Sequence, residues 1–332
     1  MSKGSTNTSV RVALAGNPNA GKTSVFNALT GSRQHVGNYP GVTVEQRWGD
    51  YTFDGTKIDV VDLPGTYSLT SFSPEEKVAR DELIGGKHDV VVVVADSTAL
   101  RRSLMLLAQV MQLGKTPVLC LNMADEAKAS GQIIKRKELE AKLGFPVVEM
   151  TAHKGIGKNE LSQAILRAAR QNTEIRCPSL GEEIDAALEE IHQGLTLSAE
   201  LEPAHAWVAT RLLVGDEQIA DELREQGANA NAMEIVEKQR DKLNSESDKD
   251  IALRVTESYF AFVDDLLSDV IVTHARPDAR ATSEKIDAVL VNRAVGLPIF
   301  AFIMFGIFWV TFTLGETPMG WIEDGFGLLA TW

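Results

Sequence analysis

The stretch GNPNAGKT (residues 16–23) follows the apolar run VRVALA and precedes SVFNALTG, which has helical spacing. A glycine-rich loop between a strand and a helix, ending in Gly-Lys-Thr, is typical of a site that binds nucleotide phosphates. Backbone N–H groups of residues 19–23 would surround the β-phosphate, Lys22 would bridge the β- and γ-phosphates, and the Thr23 hydroxyl would bind Mg²⁺. Asn19 is unexplained by this scheme, because it is neither cationic nor required by the turn.

Three further motifs end predicted strands in an order that suits the same ligand. The carboxylate of Asp62 in DLPG (62–65) would reach Mg²⁺, and the Gly65 N–H would meet the γ-phosphate. In NMAD (122–125), Asp125 can accept hydrogen bonds from guanine N1–H and the exocyclic amine, a donor pair that adenine lacks. Asn122 would brace the phosphate loop and the base. In TAHKG (151–155) the Ala152 N–H would reach guanine O6. The sequence therefore predicts a guanine nucleotide.

The segment VGNYPGVTVE (36–45) supplies a switch threonine, Thr43, whose hydroxyl and carbonyl would close over Mg²⁺ and the γ-phosphate. The candidate Mg²⁺ ligands are Thr23, Thr43 and Asp62. The candidate nucleotide-binding residues are Gly16, Asn17, Pro18, Asn19, Ala20, Gly21, Lys22, Thr23, Ser24, Gly41, Val42, Thr43, Asp62, Leu63, Pro64, Gly65, Asn122, Met123, Asp125, Thr151, Ala152 and His153.

Short apolar runs that alternate with helical stretches must position these motifs. The predicted strands are 10–15, 48–53, 57–62, 89–96, 117–122 and 146–151. Several are continuous apolar runs, as in strands buried on both faces of a parallel sheet, and Asp54-Gly55 predicts a hairpin. Ser73, Pro74 and Glu76 predict a helix start with a capping box. We expect a doubly wound α/β fold with a mostly parallel six-stranded sheet.

Composition excludes some functions and suggests further domains. The net charge of −13 argues against nucleic acid as a partner, and the two cysteines suit a reducing cytosol. The polar N-terminus predicts no cleaved signal peptide. Residues 178–274 lack strand-like runs and predict four to five short helices in a small bundle. The expected division is a flexible N-terminus (1–9), a nucleotide-binding domain (10–171), a helical domain (172–275), a linker (276–292) and the start of a membrane domain (293–332).

An uncharged run of 22 residues, 294–315, is long enough to cross a bilayer. Lys285 and Arg293 lie before it, and no Lys or Arg follows Arg293. This bias places residues 1–292 on the cytoplasmic side and predicts a membrane helix over about 291–313. The last residues begin another apolar segment, so we expect the membrane domain to continue beyond residue 332.

The motifs GNPNAGKT, VGNYPGVTVE, DLPGTYSL, NMAD and TAHKG, followed by a helical segment and a membrane segment, resemble those of the bacterial ferrous iron transport protein B (FeoB) family. The resemblance implies GTP hydrolysis to GDP, ferrous iron transport and residence in the bacterial inner membrane. It also implies small accessory Feo proteins as partners. The iron path would lie beyond residue 332.

The resemblance also implies activation by K⁺, held by Asn19 and by backbone carbonyls from Gly37 to Tyr39. The candidate catalytic residues are then Lys22, Thr43 and Asn19. Thr66 and Tyr67 follow DLPG where signalling GTPases carry a water-orienting glutamine. Met123 and His153 stand where many GTPases have lysines that stack on the base.

Two alternatives stay open at this stage. A soluble K⁺-dependent GTPase of ribosome or tRNA maturation shares these motifs, although the acidic balance and the uncharged run argue against it. A nucleotide-sensing switch that gates transport without driving it cannot be distinguished by sequence. A homo-oligomer is likewise left open.

Overall fold

In the computed structural model, which describes residues 9–31, 34–39, 42–70, 73–171, 175–199, 201–225, 230–273 and 289–330, the apolar runs form a seven-stranded sheet. Its strands are β1 (Val10–Gly16), β2 (Gln34–Asn38), β3 (Glu45–Phe53), β4 (Thr56–Asp62), β5 (Val90–Asp96), β6 (Pro117–Asn122) and β8 (Val147–Glu149). The order is β2-β3-β4-β1-β5-β6-β8. The pairings from β4 to β8 are parallel, whereas β2 and β3 are antiparallel additions.

The central strand β5 shows why the sheet is buried on both faces. Val91 and Val93 face one hydrophobic core, and Val90, Val92 and Val94 face the other, because side chains alternate along a strand. Burying one such side chain contributes about 1.5–3 kcal/mol. The helices over the first face include α3 (Leu100–Met111) and α5 (Arg136–Leu143), and those over the second are α1 (Lys22–Thr30) and α6 (Lys158–Arg170). The predicted doubly wound fold is confirmed.

The predicted six-stranded sheet is wrong by one strand. Residues 34–38 pair with residues 45–49 as the edge strand β2, and β3 begins three residues before its predicted start at Trp48. The sequence of β2, QHVGN, has neither apolar alternation nor a run of β-branched residues. This strand exists because β3 offers an open edge, a tertiary contact that no local pattern reports.

The two predicted local signals behave differently. Asp54 and Gly55 have φ values of 48° and 73°, as expected for the hairpin turn between β3 and β4. At the start of α2 (Pro74–Gly85), Ser73 Oγ accepts a hydrogen bond from the Glu76 N–H at 3.1 Å. The Glu76 carboxylate, however, accepts from Thr70 Oγ1 at 2.8 Å, so only half of the capping box forms.

After α6, five α helices complete the first unit within the described residues. They are α7 (Glu182–Gly194), α8 (His205–Leu213), α9 (Glu217–Glu225), α10 (Ala230–Ser245) and α11 (Ile251–Leu267). Their apolar side chains, including the fully buried Trp207, share one core with α3 and with one face of the sheet. Accordingly, Met1–His274 is one compact unit.

A small second sheet contradicts the expectation that residues 178–274 lack strands. The strand β9 (Ile271–Thr273) pairs antiparallel with β7 (Gln132–Ile134), which lies after α4 (Ala124–Ala129). Each strand has only three residues. Such short strands carry no detectable period, and their pairing joins segments far apart in the chain.

The second unit, Ala275–Trp332, contains the helix α12 (Arg293–Ala330). Its residues Val295–Thr313 have a mean hydropathy of 2.2 and are long and apolar enough to cross a membrane. The consecutive side chains of Ile307, Phe308, Trp309 and Val310 are all exposed, so apolar groups surround the helix. A helix that is apolar on every side suits a lipid environment. Lys285 lies outside the described residues.

Candidate functional site

The predicted motifs meet at one edge of the sheet. Residues 16–23 follow β1, residues 62–65 end β4, residues 122–125 end β6, and residues 151–155 follow β8. These four strands are parallel, so their carboxyl ends share an edge. Ligands of open α/β sheets bind in the crevice at this edge.

The phosphate loop has the form that its glycines demand. A Cβ at Gly16 would lie 2.5 Å from the Val94 carbonyl oxygen. Gly21 has a φ of 80°, and its Cβ would lie 2.2 Å from Asn122 Nδ2. The helix α1 begins at Lys22 with no side-chain cap and no acidic residue in its first turn. Its N-terminal N–H groups are therefore available to a phosphate.

Asn19 requires a correction to the sequence analysis. The Ala20 N–H donates to the Asn17 carbonyl at 3.2 Å, and Asn19 within this turn has a φ of 65°. Asparagine is one of the few residues that tolerate the left-handed region, so the turn itself favours Asn here. The Asn19 side chain is exposed and makes no hydrogen bond to any part of the chain that the structure describes.

The Mg²⁺ candidates Thr23 and Asp62 are in contact. Thr23 Oγ1 donates to Asp62 Oδ2 at 3.1 Å, and Lys22 Nζ lies 3.7 Å from Asp62 Oδ1. Asp62 is buried, and its Oδ1 has no hydrogen-bond partner among the described atoms. Burial raises the pKa of Asp62, while Lys22 opposes the shift. A hydroxyl beside an unsatisfied carboxylate oxygen fits a hard cation such as Mg²⁺.

The DLPG segment is tied to the phosphate loop. The Leu63 N–H donates to the Leu14 carbonyl at 3.1 Å, and the Thr66 N–H donates to the Gly16 carbonyl at 3.2 Å. A Cβ on Gly65 would lie 3.1 Å from Pro18 Cα. The segment with Leu63, Pro64 and Gly65 thus packs directly on the phosphate loop.

Asn122 joins the two halves of the site. Its Nδ2 donates to the Ala20 carbonyl at 3.0 Å, and its Oδ1 accepts from the Ala152 N–H at 3.1 Å. The side chain is buried, and so are Ala20 and Ala152. The phosphate loop and the TAHKG loop are therefore held by one amide.

Asp125 lies in the first turn of α4 with its two oxygens in different environments. Oδ2 accepts from Lys154 Nζ at 2.7 Å and lies 3.6 Å from His153 Nε2. Oδ1 is buried without a hydrogen-bond partner in the described chain. The Lys154 ammonium lowers the pKa of Asp125. The carboxylate is thus ionised.

The switch threonine and the K⁺ candidates are not assembled with the phosphate loop. Thr43 is exposed, whereas Asp62 contacts Thr23 and Lys22. Gly37 lies in β2, three strands from β1, which corresponds to about 14 Å. The Tyr39 carbonyl accepts from the Val42 N–H at 3.3 Å. Gly41 lies outside the described residues.

The other predicted residues occupy the same edge. Asn17 is buried and donates through Nδ2 to the Arg102 carbonyl at 3.2 Å, so the phosphate loop is tied to α3. Ser24 is exposed in the first turn of α1. Met123 has a φ of 59°. The Thr151 N–H donates to the Ile156 carbonyl at 3.0 Å.

Lys154 is a residue of the candidate site that was not predicted from the sequence. His153 stands at the position of the lysine in other GTPases, but TAHKG carries a lysine at the next position. The loop turns so that this second side chain reaches Asp125.

One edge of the doubly wound sheet thus carries a glycine-rich phosphate loop, a carboxylate–threonine pair and a loop braced by Asn122. Together these features define a P-loop G domain. The family model described as "Ferrous iron transport protein B" matches residues 10–165, and that of the "FeoB cytosolic helical domain" matches residues 181–272. The chain belongs to the FeoB family.

Individual relatives agree with this assignment. An Fe(2+) transport protein A/Fe(2+) transporter FeoB fusion protein of Porphyromonas gingivalis is 34% identical over 97% of this chain and 39% of its own length. The Fe(2+) transporter FeoB of Escherichia coli K12 is 33% identical over 92% of this chain and also 39% of its own length. The chain thus spans about two fifths of the length of these curated relatives.

Solved structures match about four fifths of the chain. The cytosolic domain of the T. maritima FeoB iron transporter in apo form is 36% identical, covers 80% of this chain and all of that chain, and has a TM-score of 0.69. A mutant of S. thermophilus NFeoB bound to mGDP is 31% identical over 79% of this chain and 100% of its own, with a TM-score of 0.73. These findings do not favour the alternative of a soluble GTPase of ribosome or tRNA maturation.

Proposed function

We propose that this chain binds GTP with Mg²⁺ and hydrolyses it to GDP and phosphate, as the cytoplasmic module of a ferrous iron transporter. The observation that carries the guanine assignment is the base site. The Ala152 N–H, which donates to Asn122 Oδ1 in the structure, would turn to guanine O6, and Asp125 Oδ1, which has no partner in the described chain, would accept from guanine N1–H. Adenine offers no N1–H for that oxygen.

The phosphate half of the site would act mainly through charge and position. Lys22 would leave Asp62 for the β- and γ-phosphates, and Thr23, Asp62 and Thr43 would hold Mg²⁺. Mg²⁺, when bound, would neutralise charge that develops between these phosphates. Thr43 has to approach from its exposed position to complete this set.

The residues after DLPG offer no group to orient the attacking water. The Thr66 hydroxyl donates to the Ser68 carbonyl, and the Tyr67 ring lies 5.4 Å from the Arg102 guanidinium. Both side chains thus already have partners in the described chain. We infer that backbone groups of the switch segment position the water.

K⁺ activation is part of the same proposal. The Asn19 amide oxygen is exposed and free of hydrogen bonds to the described chain, so it can bind a cation beside the phosphates. Carbonyls from Gly37 to Tyr39 would complete the site after the end of β2 moves. The added charge would act where an arginine acts in other GTPases.

The transport role rests on the relatives and on α12. The curated relatives are named Fe(2+) transporters, and Val295–Thr313 can span a bilayer. We therefore place α12 in a bacterial inner membrane, with residues 1–292 on the cytoplasmic side, and retain the sequence-based division into domains. The fusion of transport protein A with FeoB in Porphyromonas gingivalis supports an accessory Feo protein as a partner.

Nucleotide binding by Asp125→Asn tests the guanine assignment. A hydrogen bond to a charged group contributes about 1.5–3 kcal/mol, so GDP affinity should fall at least tenfold. Xanthine carries a C2 carbonyl in place of the guanine amine, and the amide introduced at position 125 would donate to it. XDP should therefore bind the variant better than GDP does. Unchanged GDP affinity, or equal binding of ADP and GDP by the wild type, would show that the site is not specific for guanine.

A further inference from the structure

Lys154 is held in position within the base site. Its backbone N–H donates to the Thr151 carbonyl at 3.0 Å, and Gly155 ends the turn with a φ of 68°. From this turn the Lys154 ammonium reaches Asp125 Oδ2 at 2.7 Å. The Lys154 side chain is 53% exposed and that of Asp125 is 30% exposed, so the pair lies at the mouth of the site.

Guanine and Lys154 would share one oxygen of the Asp125 carboxylate. Guanine presents two donors to this carboxylate, N1–H and the 2-amino group, and therefore requires both oxygens of Asp125. One oxygen, Oδ1, has no partner in the described chain, but the other already accepts from Lys154. An oxygen of a carboxylate can accept two hydrogen bonds, but a second donor on Oδ2 would have to share it with the ammonium 2.7 Å away, and each bond would be weakened.

We propose that Lys154 is a specificity-determining residue that competes with the 2-amino group of guanine for Asp125 Oδ2. This inference rests on the proposed function, since it concerns how the same base site selects its ligand. In the empty site the ion pair compensates the charge of Asp125. A guanine nucleotide exchanges that ion pair for its own hydrogen bond and consequently binds more weakly than the carboxylate alone would allow.

Hypoxanthine provides the matched ligand. It has N1–H and O6 but carries hydrogen at C2, so one free oxygen of Asp125 satisfies it. An inosine nucleotide can use Oδ1 and leave Lys154 on Oδ2. Removing Lys154 should therefore strengthen GDP binding without strengthening IDP binding. Because an exposed ion pair is weak, we expect a change of about two- to fivefold in the ratio of the two affinities.

The experiment measures dissociation constants of GDP and IDP for the full chain in detergent, by competition with a fluorescent GDP analogue. The variants are Lys154→Met, Lys154→Arg, which keeps the charge, and Lys128→Met. The last is the matched control, because Lys128 forms a similar exposed ion pair with Glu149 at 2.6 Å.

We expect the ratio of the IDP to the GDP dissociation constant to rise in Lys154→Met and to stay at the wild-type value in Lys154→Arg and Lys128→Met. Added salt should reduce the difference in this ratio between the wild type and Lys154→Met, because salt screens the exposed ion pair. An unchanged ratio in Lys154→Met, or weaker GDP binding with a lower ratio, would overturn the competition. If the wild type binds GDP no better than ADP, the proposed function fails instead.

Discussion

Replacing Asn122 with alanine should damage both the stability of the protein and its nucleotide site. The change removes the donor to the Ala20 carbonyl and the acceptor for the Ala152 N–H, which lie 3.0 and 3.1 Å from the amide. Both partners belong to buried residues. An unsatisfied buried group costs about 1–3 kcal/mol, and water that enters the vacated space recovers part of this. We expect a net loss of about 2–4 kcal/mol.

Thermal unfolding of the nucleotide-free chain, followed by circular dichroism, measures this loss. For a domain of this size, the expected decrease in Tm is about 4–16 °C. GDP should also bind more weakly, since its phosphates and its base contact the two loops that Asn122 joins. The added stabilisation by GDP should therefore be smaller in the variant than in the wild type.

Asn122→Asp separates hydrogen bonding from packing. Aspartate has nearly the volume of asparagine and can still accept from Ala152, but it turns a second oxygen towards the Ala20 carbonyl. We expect it to be no more stable than Asn122→Ala at neutral pH, and to recover in acid, where a protonated carboxyl group can donate. Wild-type stability of Asn122→Asp at neutral pH would refute the two-bond argument and leave packing as the explanation.

Three further predictions concern ions and topology. Asn19→Gly keeps a residue that tolerates the left-handed turn but removes the amide oxygen. The rate of GTP hydrolysis in K⁺ should exceed that in Na⁺ by about thirty- to a thousand-fold in the wild type, and this advantage should disappear in the variant with little change in GDP affinity. A K⁺ advantage retained by the variant would exclude Asn19 as a ligand. Burial raises the pKa of Asp62, so protons should compete with Mg²⁺ for this carboxylate. On acidification, the Mg²⁺ affinity of the GDP complex should begin to fall at a pH above the usual pKa of an aspartate. Asp62→Asn should bind Mg²⁺ weakly at every pH, and a wild-type Mg²⁺ affinity that does not change with pH would contradict this prediction. In a background with the exposed Cys177 replaced by serine, Lys285→Cys should react with an impermeant thiol reagent only from the cytoplasmic side, and reaction from the external side alone would reverse the predicted topology.

The sequence predicted the parallel core because its signals are local. A strand such as Val90–Asp96 is apolar at almost every position, and the glycines of the phosphate loop leave few conformations. The strand β2 and the β7–β9 pair could not be predicted in this way. Their residues have weak strand preference, and their hydrogen bonds join segments whose proximity depends on the completed fold.

The location of the site was predicted from the sequence, but the contacts of only some of its side chains were. Motif spacing predicted that Asn122 would brace the phosphate loop and the base; the structure shows its bond to the phosphate loop, and its bond to Ala152 was not predicted. The conformation of Asn19 depends on the φ angle of a turn, and the contact of Lys154 with Asp125 depends on the direction in which a short loop projects one side chain. Composition and spacing report neither property.

The switch segment shows how a weak strand can serve a nucleotide site. Gly37 is paired in β2, and the Tyr39 N–H donates to the Val44 carbonyl at 3.0 Å, so Thr43 lies in a loop closed at the base of that strand. If Gly37 and Tyr39 are to face a cation beside the phosphate loop, the end of β2 has to leave β3. The strand QHVGN itself contributes little apolar burial and Val36 is 62% exposed, so the main cost is the release of Tyr39, which is buried in a cluster with Val44 and Val78. A ligand whose affinity for the two arrangements differs by more than this cost would shift the population of the segment. The same weakness of local signals that hid β2 from sequence analysis makes this strand suitable for exchange between two positions.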